Sequence, residues 1–277
     1  MSRAGDVAAG CSLLGSGRRA VVTGAGSGIG RATALALAAR GMHVVAVDVD
    51  GPAAESVASE TRGEARTVDV ADGAAMDALA AALMDESGAP DVVVNNAGVG
   101  LTGHFLDTTE ADWRWILEIN LGGVINGCRA FGPALLQSGR GHVVNLSSGL
   151  AFAPRATEPA YVTTKAAVLA LSQCLRADWG PRGVGVSAIC PGVIRTAIAS
   201  STRFRGERAT AESITRVRRL FSRGHPPELV AEAIIDAVTR NRPVVPVGIE
   251  ARVGWLLRGV VPGRLADRAA RASLLGI

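Results

Sequence analysis

The stretch TGAGSGIG, Thr23–Gly30, decides the fold of this chain. It joins a short apolar run, RAVVT at 19–23, to a segment with helical spacing, GRATALALAARG at 30–41. A buried strand followed at once by a helix is the opening unit of a parallel α/β sheet. Glycines in such a turn let the backbone N–H groups at the helix start approach a phosphate. The stretch therefore predicts a phosphate-binding junction between the first strand and the first helix.

The glycine spacing in this junction is G-x-x-x-G-x-G, through Gly24, Gly28 and Gly30. It differs from the G-x-G-x-x-G fingerprint of many dinucleotide-binding proteins, although the physical demand on the turn is the same. Glycines also serve plain turns, so the pattern alone is weak. Its position at the first strand–helix junction is what favours a pyrophosphate site.

Strand-like and helix-like segments alternate along the rest of the chain. Further apolar strand patterns cover 43–48, 65–70, 91–96, 141–148 and 184–190, and helical patterns cover 52–60, 74–87, 109–137 and 160–179. Such alternation predicts a parallel sheet whose two faces are both covered by helices. We therefore expect an α/β fold, a Rossmann-type doubly wound parallel β-sheet flanked by helices on both faces. No linker divides the chain, so a single domain is expected.

Composition and charge exclude several classes of function. The 277 residues are 48% hydrophobic and 4% aromatic, with a net charge of +4. Residues 195–223 hold eight Arg against two Glu but contain no known nucleic-acid motif, which predicts a solvated helix face and no nucleic-acid binding. The four Cys form no CxxC pair, which predicts a metal-free, reduced, cytoplasmic protein. No apolar run reaches the length of a transmembrane helix.

Tyr161 and Lys165 are the only Tyr and the only Lys of the chain. At positions i and i+4 they share one face of a helix. A phenol with a pKa near 10 needs about 3 units of depression, roughly 4 kcal/mol, to act as a base at neutral pH. An ammonium about 5 Å away supplies roughly 3.3 kcal/mol at an effective dielectric constant near 20. The pair therefore predicts an acid/base Tyr161 whose pKa is lowered by Lys165.

Asp48 closes the second strand, eighteen residues after Gly30. A carboxylate there accepts hydrogen bonds from both hydroxyls of an adenine ribose and repels a 2′-phosphate. The neighbouring Val49 and the loop residue Ser27 offer no cation to such a phosphate. NAD is therefore favoured over NADP.

These motifs together resemble the short-chain dehydrogenase/reductase family, whose members use a Tyr-x-x-x-Lys pair with an upstream Ser and Asn. The resemblance covers about 18–247 and includes NNAG at 95–98, NLSS at 145–148 and PGVIRT at 191–196. It implies four catalytic residues: Asn120, Ser148, Tyr161 and Lys165. The implied cofactor contacts are Gly24, Ser27, Gly28, Ile29, Gly30, Asp48, Asp69, Val70, Asn96, Ala97, Gly98, Tyr161, Lys165, Pro191, Gly192, Ile194 and Thr196.

The resemblance implies hydride transfer between a carbinol carbon and nicotinamide. Tyr161 would exchange the alcohol proton, Ser148 would hold the substrate oxygen, and Lys165 would bind the nicotinamide ribose. Asn120 would hold a water that links Lys165 to solvent. Two alternatives stay open: an NADPH-dependent ketone or ketoacyl-type reductase, against which Asp48 argues, and a non-catalytic dinucleotide sensor or scaffold, against which the Tyr–Lys pair argues.

The segments 99–105 and 150–154 are mostly apolar and predict a hydrophobic secondary alcohol or ketone as substrate. His104 and Glu158 are candidates for substrate contact, although ordinary loop positions explain both. The family resemblance implies a mobile lid at 197–223 and a homotetramer or homodimer.

The two ends of the chain are expected to lie outside the domain at 18–247. Residues 1–17 are predicted to be a loose leader, and 248–277 an amphipathic tail. For this tail, packing on a subunit is favoured over contact with a membrane surface. NLGGVINGCRAFGP at 120–133 and STRFRG at 201–206 resemble an actinobacterial type of dehydrogenase that also occurs fused behind an epoxide-hydrolase-like domain.

Overall fold

Residues 13–271 of the chain are described by a computed structural model, in which strands and helices alternate as the sequence predicts. The strands are β1 (Arg19–Thr23), β2 (His43–Asp48), β3 (Glu64–Thr67), β4 (Val92–Asn95), β5 (Leu101–Thr102), β6 (Gly141–Leu146), β7 (Val184–Pro191), β8 (Arg203–Phe204) and β9 (Val244–Val247). The helices are α1 (Gly28–Ala38), α2 (Gly51–Thr61), α3 (Gly73–Ser87), α4 (Glu110–Leu117), α5 (Gly123–Ser138), α6 (Pro159–Trp179), α7 (Ile198–Ser201), α8 (Ala211–Ser222), α9 (Pro227–Thr239), α10 (Ile249–Leu257) and α11 (Gly263–Arg271).

The main sheet of the described residues has seven parallel strands in the order β3-β2-β1-β4-β6-β7-β9. Both of its faces are buried. β1 directs Ala20 and Val22 into a core under α1, α2 and α9, whereas Val21 enters a second core under α3, α5 and α6. The buried strands are therefore continuously apolar rather than alternating. The predicted fold class, a doubly wound parallel sheet in one domain, is confirmed.

The strand order reverses between β1 and β4. In open α/β sheets the crevice beyond the carboxyl ends of the strands at this reversal is where ligands bind. The junction Thr23–Gly30 leaves β1 at this crevice, and Asn95 ends β4 beside it. The topology thus places the glycine turn at the expected binding position.

Two features differ from the sequence-based expectation. The long helical pattern at 109–137 is two helices joined by a π-helical turn at Glu118–Gly122, which contains Asn120. The sheet also gains an edge strand, β9, that pairs with β7 from Ala188 to Pro191. Four residues, one of them Pro246, were too few to be recognised as a strand.

The described ends of the chain pack on the domain. Residues 1–12 and 272–277 lie outside the described part, so the predicted leader and tail are seen only in part. Leu13 and Leu14 pack against the core under α1. In the tail, the Trp255 ring lies 5.0 Å from that of Phe152, and Ala156 N–H donates to the Ala270 carbonyl at 3.2 Å. None of the helices in 13–271 has the length and apolarity needed to span a membrane.

A partly buried ion pair attaches the segment after β7 to the body of the domain. Arg205 follows the small β5–β8 sheet and donates to both oxygens of Asp112, at 2.8 and 2.6 Å. Asp112 is 1% exposed and also closes a capping box with Thr109 at the start of α4. The Arg205 hydrogen bonds, opposed by burial, hold the pKa of Asp112 well below its usual range. Arg203 stacks on Trp115 at 3.7 Å. Two arginines of the predicted lid therefore contact the body of the domain.

Asp112→Asn is expected to lower the free energy of unfolding by about 2 kcal/mol, because it leaves Arg205 without its carboxylate. The same change is expected to speed proteolysis within 197–223. Because the folded pKa of Asp112 is depressed, the difference from wild type is present above about pH 4 and shrinks as pH falls. Urea unfolding at several pH values and limited proteolysis measure both effects. Glu110→Gln, which breaks an exposed pair with Arg114, is the control. Equal losses of unfolding free energy in the two variants would contradict the view that the Asp112–Arg205 pair attaches the segment after β7.

Candidate active site

The glycine turn is packed so tightly against its neighbours that Gly24 and Gly30 have no room for a Cβ. A Cβ on Gly30 would overlap the carbonyl oxygen of Gly24, and one on Gly24 would lie 2.8 Å from the Ala97 Cα. Gly24 and Gly28 also have positive φ, +62° and +51°. Ser27 caps α1 without a side-chain hydrogen bond, so the first N–H groups of the helix stay available for an anion. The turn can therefore hold a pyrophosphate.

Asn96 fastens this turn to the end of β4. Its side-chain amide donates to the carbonyls of Thr23 at 2.9 Å and Gly24 at 3.1 Å. The backbone N–H groups of Asn96 and Ala97 both donate to the Thr23 hydroxyl. The side chain of Asn96, which the family resemblance implies is a cofactor contact, therefore holds the shape of the turn.

Asp48 lies at the end of β2, beside the glycine turn. Its Oδ2 accepts from the Gly26 N–H at 2.8 Å and its Oδ1 accepts from the Asp50 N–H at 3.0 Å. Each carboxylate oxygen has further lone pairs for ribose hydroxyls. Asp69 and the buried Val70 lie in the loop after β3, although the sequence pattern predicts a strand at 65–70. Together with Asp48 they line a cavity at the carboxyl ends of the strands.

Residues 191–196, at the end of β7 and just beyond it, are held in place by Glu250, which the sequence analysis missed. Glu250 in α10 accepts from the Val193 N–H at 2.6 Å and lies 3.4 Å from His225 Nε2. A Cβ on Gly192 would overlap this carboxylate. Burial opposes the charged form, but hydrogen bonds from backbone N–H groups and from His225 outweigh it, so the pKa of Glu250 is lowered. No local pattern identifies Glu250, because its partner is about sixty residues away in sequence.

Helix α6 carries Tyr161 and Lys165 into the cavity, close to Ser148. Pro159 starts the helix, and the Lys165 ammonium lies 5.8 Å from the centre of the Tyr161 ring. Lys165 Nζ donates to the Leu146 carbonyl at 2.9 Å, and the Ser147 hydroxyl donates to the Lys165 carbonyl at 2.7 Å. These two bonds tie α6 to the end of β6. They place Ser148 near Tyr161.

Burial dominates the electrostatics of this pair. It raises the pKa of Tyr161 to about 12, against a hydrogen bond from Ser148 that lowers it, and the charge of Glu158 raises it further. Burial lowers the pKa of Lys165 to about 8. The expected depression of the Tyr161 pKa by Lys165 is therefore not found in the protein alone. Desolvation of the phenolate is the largest influence, and the ammonium is directed to the Leu146 carbonyl.

Asn120 is fully buried at the π-helical turn between α4 and α5. Its side chain accepts from the Val99 N–H at 2.8 Å and donates to the Val99 carbonyl at 2.9 Å. It thus pins the loop after β4 and does not line the cavity. A Cβ on Gly98 would lie 3.2 Å from its Oδ1 and 3.4 Å from Lys165 Nζ, so Gly98 permits this close approach.

One cavity of about 1490 Å³ contains nearly all the predicted residues. Typical small-molecule sites measure about 300–1,000 Å³, so this volume leaves room for a dinucleotide together with a substrate. The predicted residues that line it are Gly24, Ser27, Gly28, Ile29, Asp48, Asp69, Val70, Asn96, Ala97, Gly98, Ser148, Tyr161, Lys165, Pro191, Gly192, Ile194 and Thr196. Gly30 and Asn120 are not among the residues that line this cavity. Glu158 lines the cavity and His104 does not.

The residues present fit a nicotinamide dinucleotide. The glycine turn and the bare start of α1 suit the pyrophosphate, Asp48 suits a ribose, and the 191–196 loop suits the nicotinamide end. Within 13–271 no group of three or more His, Cys, Asp or Glu is arranged to hold a metal ion.

Comparisons with known proteins identify relatives. A family model described as short chain dehydrogenase matches residues 18–205. "Probable oxidoreductase EphD" of Mycobacterium tuberculosis is 44% identical over 259 residues, which are 90% of this chain and 44% of that protein. The chain thus spans less than half the length of this relative. "D-threitol dehydrogenase" of Mycolicibacterium smegmatis is 36% identical over 80% of this chain and 86% of its own length.

A solved structure is similar throughout the chain. A short chain dehydrogenase/reductase from Burkholderia phymatum, in complex with NAD, has a TM-score of 0.80 and 30% identity. It covers 93% of this chain and 96% of its own.

Gly30→Ala is expected to lower the free energy of unfolding by about 2 kcal/mol, because the new methyl group must displace the Gly24 carbonyl. The same displacement reshapes the phosphate turn, so the Kd for NAD is expected to rise at least tenfold. Calorimetric titration and thermal unfolding measure these effects. Gly180→Ala is the matched control, because a Cβ there meets nothing within 4 Å. A Gly30→Ala variant that binds NAD as wild type does would contradict the packing argument.

Proposed function

The chain belongs to the short-chain dehydrogenase/reductase family, and from that premise we propose that it is an NAD-dependent oxidoreductase acting on a hydrophobic secondary alcohol or ketone. The carrying observation is that Ser148, Tyr161 and Lys165 share one cavity with the glycine turn. A dinucleotide sensor needs the turn but not these three side chains. Hydride transfer with Tyr161 as acid/base uses all of them.

Tyr161 is a protonated phenol at neutral pH when the protein is alone, because its pKa is about 12. It is thus ready to donate a proton to a ketone oxygen. Alcohol oxidation requires the phenolate, and the pKa of Tyr161 is expected to fall when positively charged oxidised nicotinamide is bound. Bound NAD supplies the hydride acceptor, and the protein supplies orientation and the proton.

Lys165 has three N–H donors, of which one is used by the Leu146 carbonyl. The other two suit ribose hydroxyls, in line with the family resemblance. The Ser148 hydroxyl oxygen accepts from the Leu150 N–H at 3.2 Å, which holds the hydroxyl beside Tyr161, where the substrate oxygen is proposed to bind. Asn120 is best regarded as a positioning residue, since both ends of its amide bind Val99.

NAD is proposed over NADP because Asp48 lies at the ribose end and the neighbouring turn holds no cation. The Burkholderia phymatum relative was solved with NAD, which supports this choice.

The substrate is proposed to be hydrophobic because apolar side chains dominate the wall opposite the glycine turn. These include Leu101, Leu150, Phe152, Val217, Leu220, Phe221, Val253, Leu257 and Val261. Five of these nine side chains lie on α8 and α10. The predicted lid and tail therefore both line the part of the cavity that is proposed to bind substrate.

Further proposals concern assembly and location. We propose a cytoplasmic homodimer or homotetramer. An apolar groove along α5 and α6, lined by Ile125, Leu136, Leu171 and Trp179, supports burial against a second copy. We propose that the tail packs on a subunit rather than on a membrane surface, and that the chain is of the actinobacterial type also found fused to epoxide-hydrolase-like domains.

Tyr161→Phe is expected to lower kcat by about 10²–10⁴-fold for both alcohol oxidation and ketone reduction, because it removes only the exchangeable proton. In the wild type, kcat/KM for oxidation should rise with pH as Tyr161 deprotonates. Absorbance of reduced cofactor measures both. Thr163→Ala, an exposed change on the same helix, is the control. Full turnover by Tyr161→Phe would rule out this mechanism.

Asp48→Ala is expected to shift the ratio of kcat/KM for NADH to that for NADPH towards NADPH by at least tenfold. The change removes both a ribose acceptor and a negative charge that repels the 2′-phosphate. Asp69→Ala is a comparison at another predicted adenine contact, where a smaller shift is expected. A wild-type protein that prefers NADPH would support the reductase alternative instead.

A further inference from the structure

Glu158 lies on the cavity wall, three residues before Tyr161. Its backbone caps α6, because its carbonyl accepts from the Val162 N–H at 2.9 Å. Its side chain makes no capping hydrogen bond. The carboxyl group is therefore not needed to start the helix.

The Oε2 atom of Glu158 is buried and has no hydrogen-bond partner among the described residues. Such a polar atom destabilises a fold unless something satisfies it. Arg155 and Arg208 are near enough to favour the charged carboxylate, but burial is the larger influence and raises the pKa of Glu158. Neither arginine forms an ion pair with it within 13–271. Because Glu158 lines the cavity, a rotation of its side chain that exposes Oε2 there would let a ligand satisfy this atom.

Glu158 and Tyr161 interact electrostatically. Glu158 is the N-cap of α6 and Tyr161 lies in the first turn of that helix, and both residues line the same cavity. The charge of Glu158 also raises the pKa of Tyr161. A ligand group that reaches Glu158 is therefore attached close to the oxygen that Tyr161 contacts.

We propose that Glu158 binds a second hydroxyl group of the substrate, on a carbon close to the reacting carbinol. A hydroxyl both donates and accepts, so it fits the carboxyl in its neutral and its charged form. A carbonyl fits only the neutral form, and an ammonium only the charged one. Resting on the proposed function, this narrows the substrate class from a hydrophobic secondary alcohol to a diol with an apolar body.

The test compares matched pairs of alcohols: octane-2,3-diol with octan-2-ol, and cyclohexane-1,2-diol with cyclohexanol. In the wild type, kcat/KM is expected to be at least tenfold higher for the diols, since a site built for a hydroxyl disfavours an analogue without it. Glu158→Leu is expected to abolish this preference, and Glu158→Gln to restore part of it. Glu212→Gln, which changes an exposed carboxylate of α8, should leave the preference intact.

Two further readouts separate ligand binding from a structural role. The melting temperature of Glu158→Gln should equal or exceed that of wild type, because the amide has no charged form to be desolvated by burial. Its pH profile for oxidation should shift to lower pH, since the Glu158 charge no longer opposes Tyr161 ionisation while Arg155 and Arg208 remain. A lower melting temperature, with equal losses on diols and mono-alcohols, would overturn the proposal.

Failure of this proposal is distinguishable from failure of the proposed function. If mono-alcohols are oxidised and diols are not preferred, Glu158 does not bind a hydroxyl and the dehydrogenase stands. If no alcohol is turned over, the proposed function fails. In that case, binding is measured by melting temperature with octane-2,3-diol added to NAD-bound protein. A rise for the wild type but not for Glu158→Leu would still support the site. No difference between the two proteins would contradict it.

Discussion

The contact between Gly30 and the carbonyl of Gly24 is the constraint on which the rest of the site depends. It brings the first turn of α1 against the end of β1, so close that no Cβ fits between them. Asn96 then binds the carbonyls of Thr23 and Gly24 from the neighbouring strand. The turn and the end of β4 thus form one unit at the point where the strand order reverses. The bare helix start faces the crevice at this point.

Helix α6 is the second fixed element, and its attachment to β6 sets the geometry of the reacting groups. Lys165 Nζ binds the Leu146 carbonyl, and the Ser147 hydroxyl binds the Lys165 carbonyl. Burial favours the neutral forms of both Tyr161 and Lys165. Ionisation of Tyr161 therefore requires more positive charge nearby than the Lys165 ammonium supplies by itself. Glu158 adds a further charge next to the phenol.

Contacts between residues distant in sequence attach the last third of the chain to the rest of the domain. Arg205 reaches Asp112 across ninety-three positions, and Glu250 reaches Val193 across fifty-seven. α8 and α10 line the cavity that also contains the glycine turn.

The sequence by itself determined the fold class, the glycine turn and the identity of the groups in the cavity, because each has a local signature. Tyr161 and Lys165 share a helix face by their spacing, and the apolar runs can form only buried strands. The roles of Asn96, Asn120 and Glu250 were decided by the tertiary structure, since each binds the backbone of a segment remote in sequence. The pKa values of Tyr161 and Lys165 were also decided there. Burial is a property of the packed molecule, and it outweighs the charge that the spacing alone brings near.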